Sequence, residues 1–372
     1  MDKIVEMAKA AQMARTDKPR TKSATDEELE ALLKQHHAMI KVVGCGGGGN
    51  NTVNRIAEVG VAGAETIALN TDAQDLLYTT ADKKILIGKE TTRGLGAGSI
   101  PQVGEDSAHE QEQEIKQALV GADMVFITCG LGGGTGTGSA PVVAEVAKKM
   151  GALVVGIVTL PFEMEGKRRW ENAMHGLEML KKHVDTLIVI PNDKLLELAP
   201  DLPLHTAFKV ADEILTNAVK GISEVVTKPG LVNRDFADIR TIMGKGGVAL
   251  IGMGEGDGPN RAKDAVEKAI NNPLLDADIN GANGALINCI GGEDMTLNEV
   301  RAVIEAVAVK LADDARIIWG AQIAPDLKGT MRVMLIVTGV KSSQILGISA
   351  TQAEKQQVKR EIGSELGIEF VD

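Results

Sequence analysis

Aromatic side chains are nearly missing from this chain of 372 residues: two Trp, one Tyr and five Phe make up 2% of it. The apolar fraction of 44% is nevertheless that of an ordinary globular protein, so aliphatic side chains must fill the core. A chain of this length is expected to form about two domains and to bury a sizeable core.

An excess of basic residues is also lacking, since 40 Lys and Arg face 51 Asp and Glu for a net charge of −11. Nucleic-acid binding, which needs a basic surface, is therefore not expected. No apolar run reaches the roughly 18–20 residues that cross a bilayer, and the amino terminus shows no signal-peptide core. We expect a cytoplasmic protein without direct membrane insertion.

Cysteine is scarce, and its spacing excludes two further classes. Cys45, Cys129 and Cys289 are far apart and lie in apolar or Gly-rich surroundings. None of the spacings fits a zinc site, and an odd, dispersed set predicts free buried thiols in a reducing compartment. Metal ligands are not identified by the sequence.

Glycine, in contrast, is abundant and concentrated in two runs, 44–49 and 130–138. Each run follows an apolar segment typical of a strand and precedes a segment typical of a helix. Backbone N–H groups in such loops bind phosphate, aided by the partial positive charge of a helix N-terminus. Two such loops on one sheet predict a ligand whose phosphates are held from two sides.

The order of elements predicts an α/β fold with a parallel, Rossmann-like sheet, a long central helix and a second, smaller α/β domain. The predicted strands of the first domain are 39–43, 65–69, 124–128, 153–158 and 186–190, and its helices are 51–59, 109–119, 140–149 and 171–183. The predicted strands of the second domain are 248–253, 285–290, 317–321 and 331–337, and its predicted helices are 259–271 and 296–311. The predicted divisions are an N-terminal helical extension at 1–37, a first domain at 38–204, a central helix at 205–228, a C-terminal domain at 229–350 and a polar tail at 351–372.

The first glycine run satisfies a dinucleotide fingerprint, because Gly44, Gly46 and Gly49 follow a strand and Asp72 ends the next strand. This pattern also suits NAD or FAD, so a Rossmann-type oxidoreductase is one hypothesis. A plain tight turn between strand and helix is another.

The second glycine run is more specific. Thr135 and Thr137 alternate with glycines, so backbone donors and hydroxyls form an anion nest. A P-loop needs a Lys that this run lacks, and a dinucleotide enzyme does not need a second phosphate loop. A nucleotide-binding scaffold that does not hydrolyse its ligand remains an alternative to an enzyme.

Other residues suit the rest of a nucleotide. The Gly-rich segment 94–99 can supply donors to a terminal phosphate. Glu165 can accept from ribose hydroxyls, and Arg169 can reach a phosphate. Phe208 and Asp212 share a helix face, where a ring beside a carboxylate suits guanine better than adenine.

An acidic segment follows the long helix. Asp235 and Asp238 can polarise a water molecule or bind a cation. A simple turn with a helix cap is the alternative interpretation.

Taken together, these segments resemble the tubulin/FtsZ superfamily and, within it, the FtsZ family of prokaryotic cell-division GTPases. The N-terminal 37 residues resemble those of an archaeal variant. The run 132–138 resembles the tubulin signature loop. Blocks 70–74, 94–98, 191–195 and 233–238 resemble FtsZ blocks in family order, over about 38–345.

The resemblance implies that the first domain binds GTP or GDP with Mg²⁺ and hydrolyses GTP. The implied nucleotide-binding residues are Gly47, Gly48, Gly49, Asn50, Asn51, Thr52, Asp72, Ala97, Gly98, Gly133, Gly134, Thr135, Gly136, Glu165, Arg169, Asn192, Phe208 and Asp212. The implied catalytic residues are Asn233, Asp235 and Asp238.

The resemblance further implies a homopolymer in which copies stack head to tail, so that the Asp235/Asp238 segment of one completes the site of the next. It places the protein at the mid-cell division site with other cell-division proteins as partners.

Overall fold

The computed structural model describes residues 38–340 apart from residue 62, 199–202, 228–235, 245–246, 276–278 and 280. The predicted extension at 1–37, the predicted tail at 351–372, Asn233 and Asp235 all lie outside the described residues.

Strands and helices alternate through the first half of the described chain. The elements are β1 (Ile40–Cys45), α1 (Gly46–Val59), β2 (Ala64–Asn70), α2 (Ala73–Tyr78), β3 (Lys83–Leu86), α3 (Pro101–Glu110), α4 (Glu112–Leu119), β4 (Met124–Gly130), α5 (Thr135–Lys149), β5 (Leu153–Leu160), α6 (Lys167–His183), β6 (Thr186–Pro191), α7 (Asn192–Leu198) and α8 (Leu204–Thr227).

The second half is shorter and richer in strands. Its elements are α9 (Phe236–Met243), β7 (Gly247–Asp257), α10 (Arg261–Ile270), β8 (Gly284–Gly291), α11 (Leu297–Ala308), β9 (Arg316–Ile323) and β10 (Thr330–Thr338). None of the helices in the described ranges is both long and apolar enough to cross a membrane.

One sheet of ten strands runs through both halves in the order β3-β2-β1-β4-β5-β6-β7-β10-β8-β9. The pairs from β3 to β6 are all parallel, and β7 continues this direction beside β6. Strand β10 is antiparallel to both of its neighbours. The carboxyl ends of the first six strands therefore meet at one edge, where α/β sheets bind ligands.

Helices cover both faces of the sheet. Side chains of α8 pack with those of β1, β4 and β5 in one buried aliphatic cluster, and those of α5 and α6 pack on the opposite face in another. Such burial on both faces explains why the central strands read as nearly continuous Val, Ile and Leu.

The predicted fold class is confirmed, and every strand predicted from the sequence is present. Strand β3 and helices α2, α7 and α9 were not predicted, because segments of four to eight residues carry too little periodicity. The helix predicted at 109–119 corresponds to α4 and the last two residues of α3, with a break at Gln111. The rest of α3, residues 101–108, was not predicted. The domain divisions remain predictions.

A row of glycines lets α10 lie directly on β7. Gly252, Gly254 and Gly256 share one face of the strand, and a Cβ at each would come within 2.1–2.3 Å of a helix carbonyl oxygen. The contacted oxygens belong to residues about one helical turn apart. The distance along the helix between them matches the distance along the strand between alternate residues, so each glycine meets one oxygen.

Replacing Gly254 with Ala is expected to destabilise the protein by about 1–3 kcal/mol, because the new methyl group would overlap the carbonyl oxygen of Ala265, 2.1 Å away, on a rigid helix backbone. Urea unfolding measures this loss. Glu255→Ala is the matched control, since Glu255 is exposed and its ion pair with Arg332 is worth about 1 kcal/mol or less. Equal losses for both variants would contradict the close-packing argument.

Candidate active site

A cleft of about 380 Å³ opens at the carboxyl ends of β1, β4, β5 and β6. Both glycine runs border it, so the structure brings them together as the sequence predicted. Of the predicted residues, the cleft is lined by Gly47, Gly48, Asn51, Gly133, Gly134, Thr135, Gly136, Glu165, Arg169, Asn192, Phe208 and Asp212.

The two glycine runs touch through their backbones. Gly46 has φ +69°, and a Cβ there would lie 2.8 Å from the backbone nitrogen of Gly136. A Cβ on Gly49 would lie 2.4 Å from the carbonyl oxygen of Thr128 at the end of β4. Only glycine allows both the left-handed backbone and this approach, so α1 and α5 begin side by side.

Helices α1 and α5 both begin at the cleft without a cap. Their N-cap residues, Cys45 and Gly134, offer no side-chain acceptor, and neither first turn contains an acidic residue. The first N–H groups of each helix therefore lack a side-chain acceptor and carry partial positive charge. Two such helix ends on one cleft form a site for a polyvalent anion, as a nucleotide's phosphates require.

Threonine hydroxyls hold the second glycine run in place. Thr137 accepts a hydrogen bond from the backbone N–H of Gly132 at 2.9 Å, which closes the turn. The hydroxyl of Thr135 lies 2.6 Å from that of Thr71, which follows β2. Thr71 was not predicted as a site residue, although it lies in the block 70–74 that carries the family resemblance.

Glu165 and Arg169 lie one helical turn apart and pair with each other. Glu165 also accepts a hydrogen bond from the backbone N–H of Phe162 at 2.8 Å. Arg169 is half-exposed, so its guanidinium is free to turn towards a phosphate at the cost of one ion pair.

An aromatic pair marks the other end of the cleft. The Phe208 ring is 40% exposed and packs edge-to-face on the buried Phe162 ring, with centroids 5.2 Å apart. Phe208 thus presents a supported surface on which a flat base can stack. Phe162 was not predicted as part of the site.

Asn192 and Asp212 supply polar groups at this end. The buried Oδ1 of Asn192 has no hydrogen-bond partner among the residues that the structure describes. Burial raises the pKa of Asp212 to about 6, opposed by a hydrogen bond from Thr52. Unpaired and partly desolvated acceptors beside an exposed ring fit a base that donates two or more hydrogen bonds.

Some predicted residues support the cleft without lining it. The carboxylate of Asp72 accepts hydrogen bonds from the N–H groups of Gln74 and Asp75 and so caps α2. Thr52 and Asn50 are fully buried, Thr52 against Asp212 and Asn50 beside Asp75 at 3.4 Å. Gly49 and Ala97 also support the cleft, and Ala97 lies against the second run at Gly134. Gly98 is not among the residues that line the cleft, and a Cβ there would have no neighbour within 4 Å.

Asp238 lies far from the cleft. It is exposed on α9, which packs at the opposite edge of the sheet, where Arg240 donates to the carbonyl oxygen of Gly151 just before β5. Strand β5 has eight residues and so separates the two edges by about 26 Å. Asp238 therefore cannot act on a ligand in the cleft of its own chain.

Comparisons with known proteins agree with this architecture. The family model described as the Tubulin/FtsZ family GTPase domain matches residues 39–200, and the FtsZ family C-terminal domain matches residues 247–341. Cell division protein FtsZ 1 of Thermococcus kodakarensis is 60% identical over 92% of this chain and 91% of its own length. The chain belongs to the FtsZ family.

Two results from Methanocaldococcus jannaschii support the same assignment. Its cell division protein FtsZ 1 is 61% identical over 86% of this chain and 88% of its own length. A solved FtsZ dimer, described as empty, superposes with a TM-score of 0.82 at 60% identity and covers 85% of this chain and 92% of its own.

Family membership decides between the hypotheses left open by the sequence. FtsZ is the tubulin-like GTPase of cell division that polymerises into filaments, and this chain is a member with a guanine-nucleotide-binding domain. The oxidoreductase and the non-hydrolysing scaffold have no support.

The raised pKa of Asp212 predicts a pH-dependent affinity for GDP. Protonation below about pH 6 removes the carboxylate acceptor, so affinity is expected to fall as much as tenfold from pH 7 to pH 5. Calorimetric titration measures this. In the Asp212→Asn variant, the part of the decrease in GDP affinity that is due to Asp212 should vanish. The part that is due to titration of the GDP phosphates should remain, because it is common to the variant and the unsubstituted protein. Identical pH profiles would contradict a role for Asp212.

Two glycine substitutions separate packing from ligand contact. Gly133 has no atom within 4 Å of its Cβ position and lines the cleft, so Gly133→Ala should fold normally but bind GDP at least about tenfold more weakly. Gly49→Ala should instead lower stability by about 1–3 kcal/mol. Thermal unfolding with and without GDP tests both, and unchanged GDP affinity in Gly133→Ala would remove this glycine from the phosphate site.

Proposed function

We propose that the chain binds GTP in the cleft and hydrolyses it only where two copies stack head to tail. The Asp238 edge of one copy then faces the cleft of the next, and Asn233 and Asp235 take part in catalysis together with Asp238. The observation that carries this proposal is the position of Asp238 at the sheet edge opposite the cleft.

Within the cleft, the phosphates bind at the N-termini of α1 and α5. Arg169 turns towards them, and Glu165 accepts from the ribose. Phe208 stacks on the base, while Asn192 and Asp212 distinguish guanine from adenine, whose exocyclic amine faces these acceptors less well. The orphaned Oδ1 of Asn192 and the uncapped helices support this assignment.

Hydrolysis requires a group that orients water at the terminal phosphate. Of the carboxylates lining the cleft in the described residues, Glu165 pairs with Arg169 and Asp212 lies at the base end. Neither is placed to act there, so Asp235 and Asp238 of the neighbouring copy orient the attacking water. The described part of the chain holds no cluster of metal-binding side chains, which fits a Mg²⁺ bound mainly by phosphate oxygens. Such a Mg²⁺ neutralises the phosphate charge.

A contact between opposite edges of the same molecule is heterologous, and repetition of it produces an open filament. Assembly and hydrolysis are thereby coupled, because a copy with no neighbour lacks the acids. The M. jannaschii relative solved as an FtsZ dimer supports self-association. We place these filaments in the cytoplasm at the mid-cell division site, in contact with other division proteins.

Complementation tests the shared site. Asp238→Ala keeps its cleft but lacks one of the acids, whereas Asp212→Ala keeps the acids but has a defective cleft. Each alone is expected to hydrolyse GTP slowly. In an equal mixture, random stacking pairs an intact cleft with intact acids at about a quarter of the junctions, so phosphate release should rise to roughly a quarter of the unsubstituted rate.

The mixture must be shown by pelleting to contain both variants in the same polymer. Glu58→Gln, an exposed acid on α1 away from the cleft, serves as the control and should hydrolyse normally. Co-pelleting variants whose mixture releases phosphate no faster than the two alone would contradict the shared site. GTP-dependent pelleting would still establish filament formation.

A further inference from the structure

Two free thiols lie side by side beneath the phosphate-binding loops. Gly44 of β1 pairs with Thr128 of β4, so the next residues along these parallel strands, Cys45 and Cys129, are direct neighbours. Both are fully buried and unoxidised, and both belong to the same cluster on one face of the sheet. Neither has a role in nucleotide binding or hydrolysis as described above.

The spacing of the thiols suits a metal ion better than a disulfide. Neighbouring strands are about 4.8 Å apart, and in-register side chains on parallel strands point the same way. A disulfide needs Cβ atoms about 3.8 Å apart. Two metal–sulfur bonds of about 2.3 Å in line hold their sulfurs about 4.6 Å apart, which matches the strand spacing.

Charge selects the kind of ion. The surroundings are apolar and both thiols are fully buried, so a complex with net charge would be costly. A divalent ion that displaces both thiol protons gives a neutral complex, with two metal–sulfur bonds formed, two protons released and no electron transferred. Thiolates prefer soft ions, and no third metal-binding side chain lies near in the described residues, so a two-coordinate ion such as Hg²⁺ fits best.

The first turn of α5 covers the pair. The Ser139 hydroxyl contacts the Cys45 thiol, and a Cβ on Gly136 would lie 3.2 Å from the Cβ of Cys129. Cys45 also borders the cleft at the point where this turn begins, so the pair is approached from the side on which the nucleotide binds. Phosphates bound at the same N-terminus supply the missing cap and cover this approach.

We propose that Cys45 and Cys129 form a two-thiol binding site for a soft divalent metal ion, accessible only while the cleft contains no nucleotide. Metal and nucleotide then exclude one another. An ion held by the two sulfurs lies beneath the N-terminus of α5 and disturbs the phosphate site, and the nucleotide protects the thiols. This proposal rests on nucleotide binding in the cleft but not on the shared active site.

The test follows transfer of Hg²⁺ to the full chain from its complex with two glutathione molecules, which holds the ion through two sulfurs and so removes it from any single protein thiol. Mass spectrometry should find one Hg and two fewer protons per chain. Because only the empty protein reacts, GDP at a hundred times its dissociation constant should slow capture about 100-fold. Bound Hg²⁺ should likewise abolish GDP binding.

Cysteine variants locate the site. Cys45→Ser and Cys129→Ser should each lose glutathione-resistant Hg²⁺, whereas Cys289→Ser, which changes a buried thiol of β8, should retain it. The slowing of Hg²⁺ capture by GDP is measured on the unsubstituted chain, so it tests the proposal even if a variant does not fold. Capture that GDP does not slow, that survives in Cys45→Ser, or that occurs only at the rate of global unfolding would overturn the proposal.

Discussion

The contact between two glycine-rich backbones is the constraint on which the nucleotide site depends. Because Gly46 and Gly136 lack side chains, α1 and α5 begin within van der Waals distance of each other. Their uncapped N-termini then share one cleft, and neither helix supplies a side chain that would compete with a phosphate. Any Cβ at these positions would separate the helices, so the proposed phosphate site depends on close packing rather than on a lysine.

In the proposed binding mode, recognition of the base is linked to recognition of the sugar and phosphates through a short series of contacts. Phe208 packs on Phe162, the Phe162 backbone donates to Glu165, and Glu165 pairs with Arg169. A ligand that binds Arg169 must break the ion pair between Arg169 and Glu165. The position of Glu165 in turn depends on the backbone of Phe162, whose ring supports Phe208. The cleft therefore responds to a whole nucleotide more than to its separate parts.

The polarity of the parallel sheet explains why one chain does not contain a complete active site in the proposed mechanism. The cleft occupies the carboxyl edge of the strands, and Asp238 occupies the amino edge, about 26 Å away. A sheet with its ligand at one edge and its acids at the other has complementary halves on opposite surfaces. Stacking in one direction brings them together, and the same geometry couples hydrolysis to filament growth.

The amino-acid sequence by itself determined the fold class, both glycine-rich loops and most of the residues that line the cleft, because glycine runs and aliphatic strands have strong local signatures. Residues 47, 134, 165, 192, 208 and 212 all line the cleft as predicted. Local patterns did not predict the short elements β3, α2, α7 and α9.

Only the tertiary structure decided which residues touch the cleft and which support it. Asp72 caps a helix, Thr52 lies behind Asp212, and Phe162 stands behind Phe208. The structure also placed Cys45 beside Cys129 and Asp238 far from the cleft. These contacts join residues that are far apart in the chain. They depend on strand register and on packing, which a local sequence pattern does not reveal.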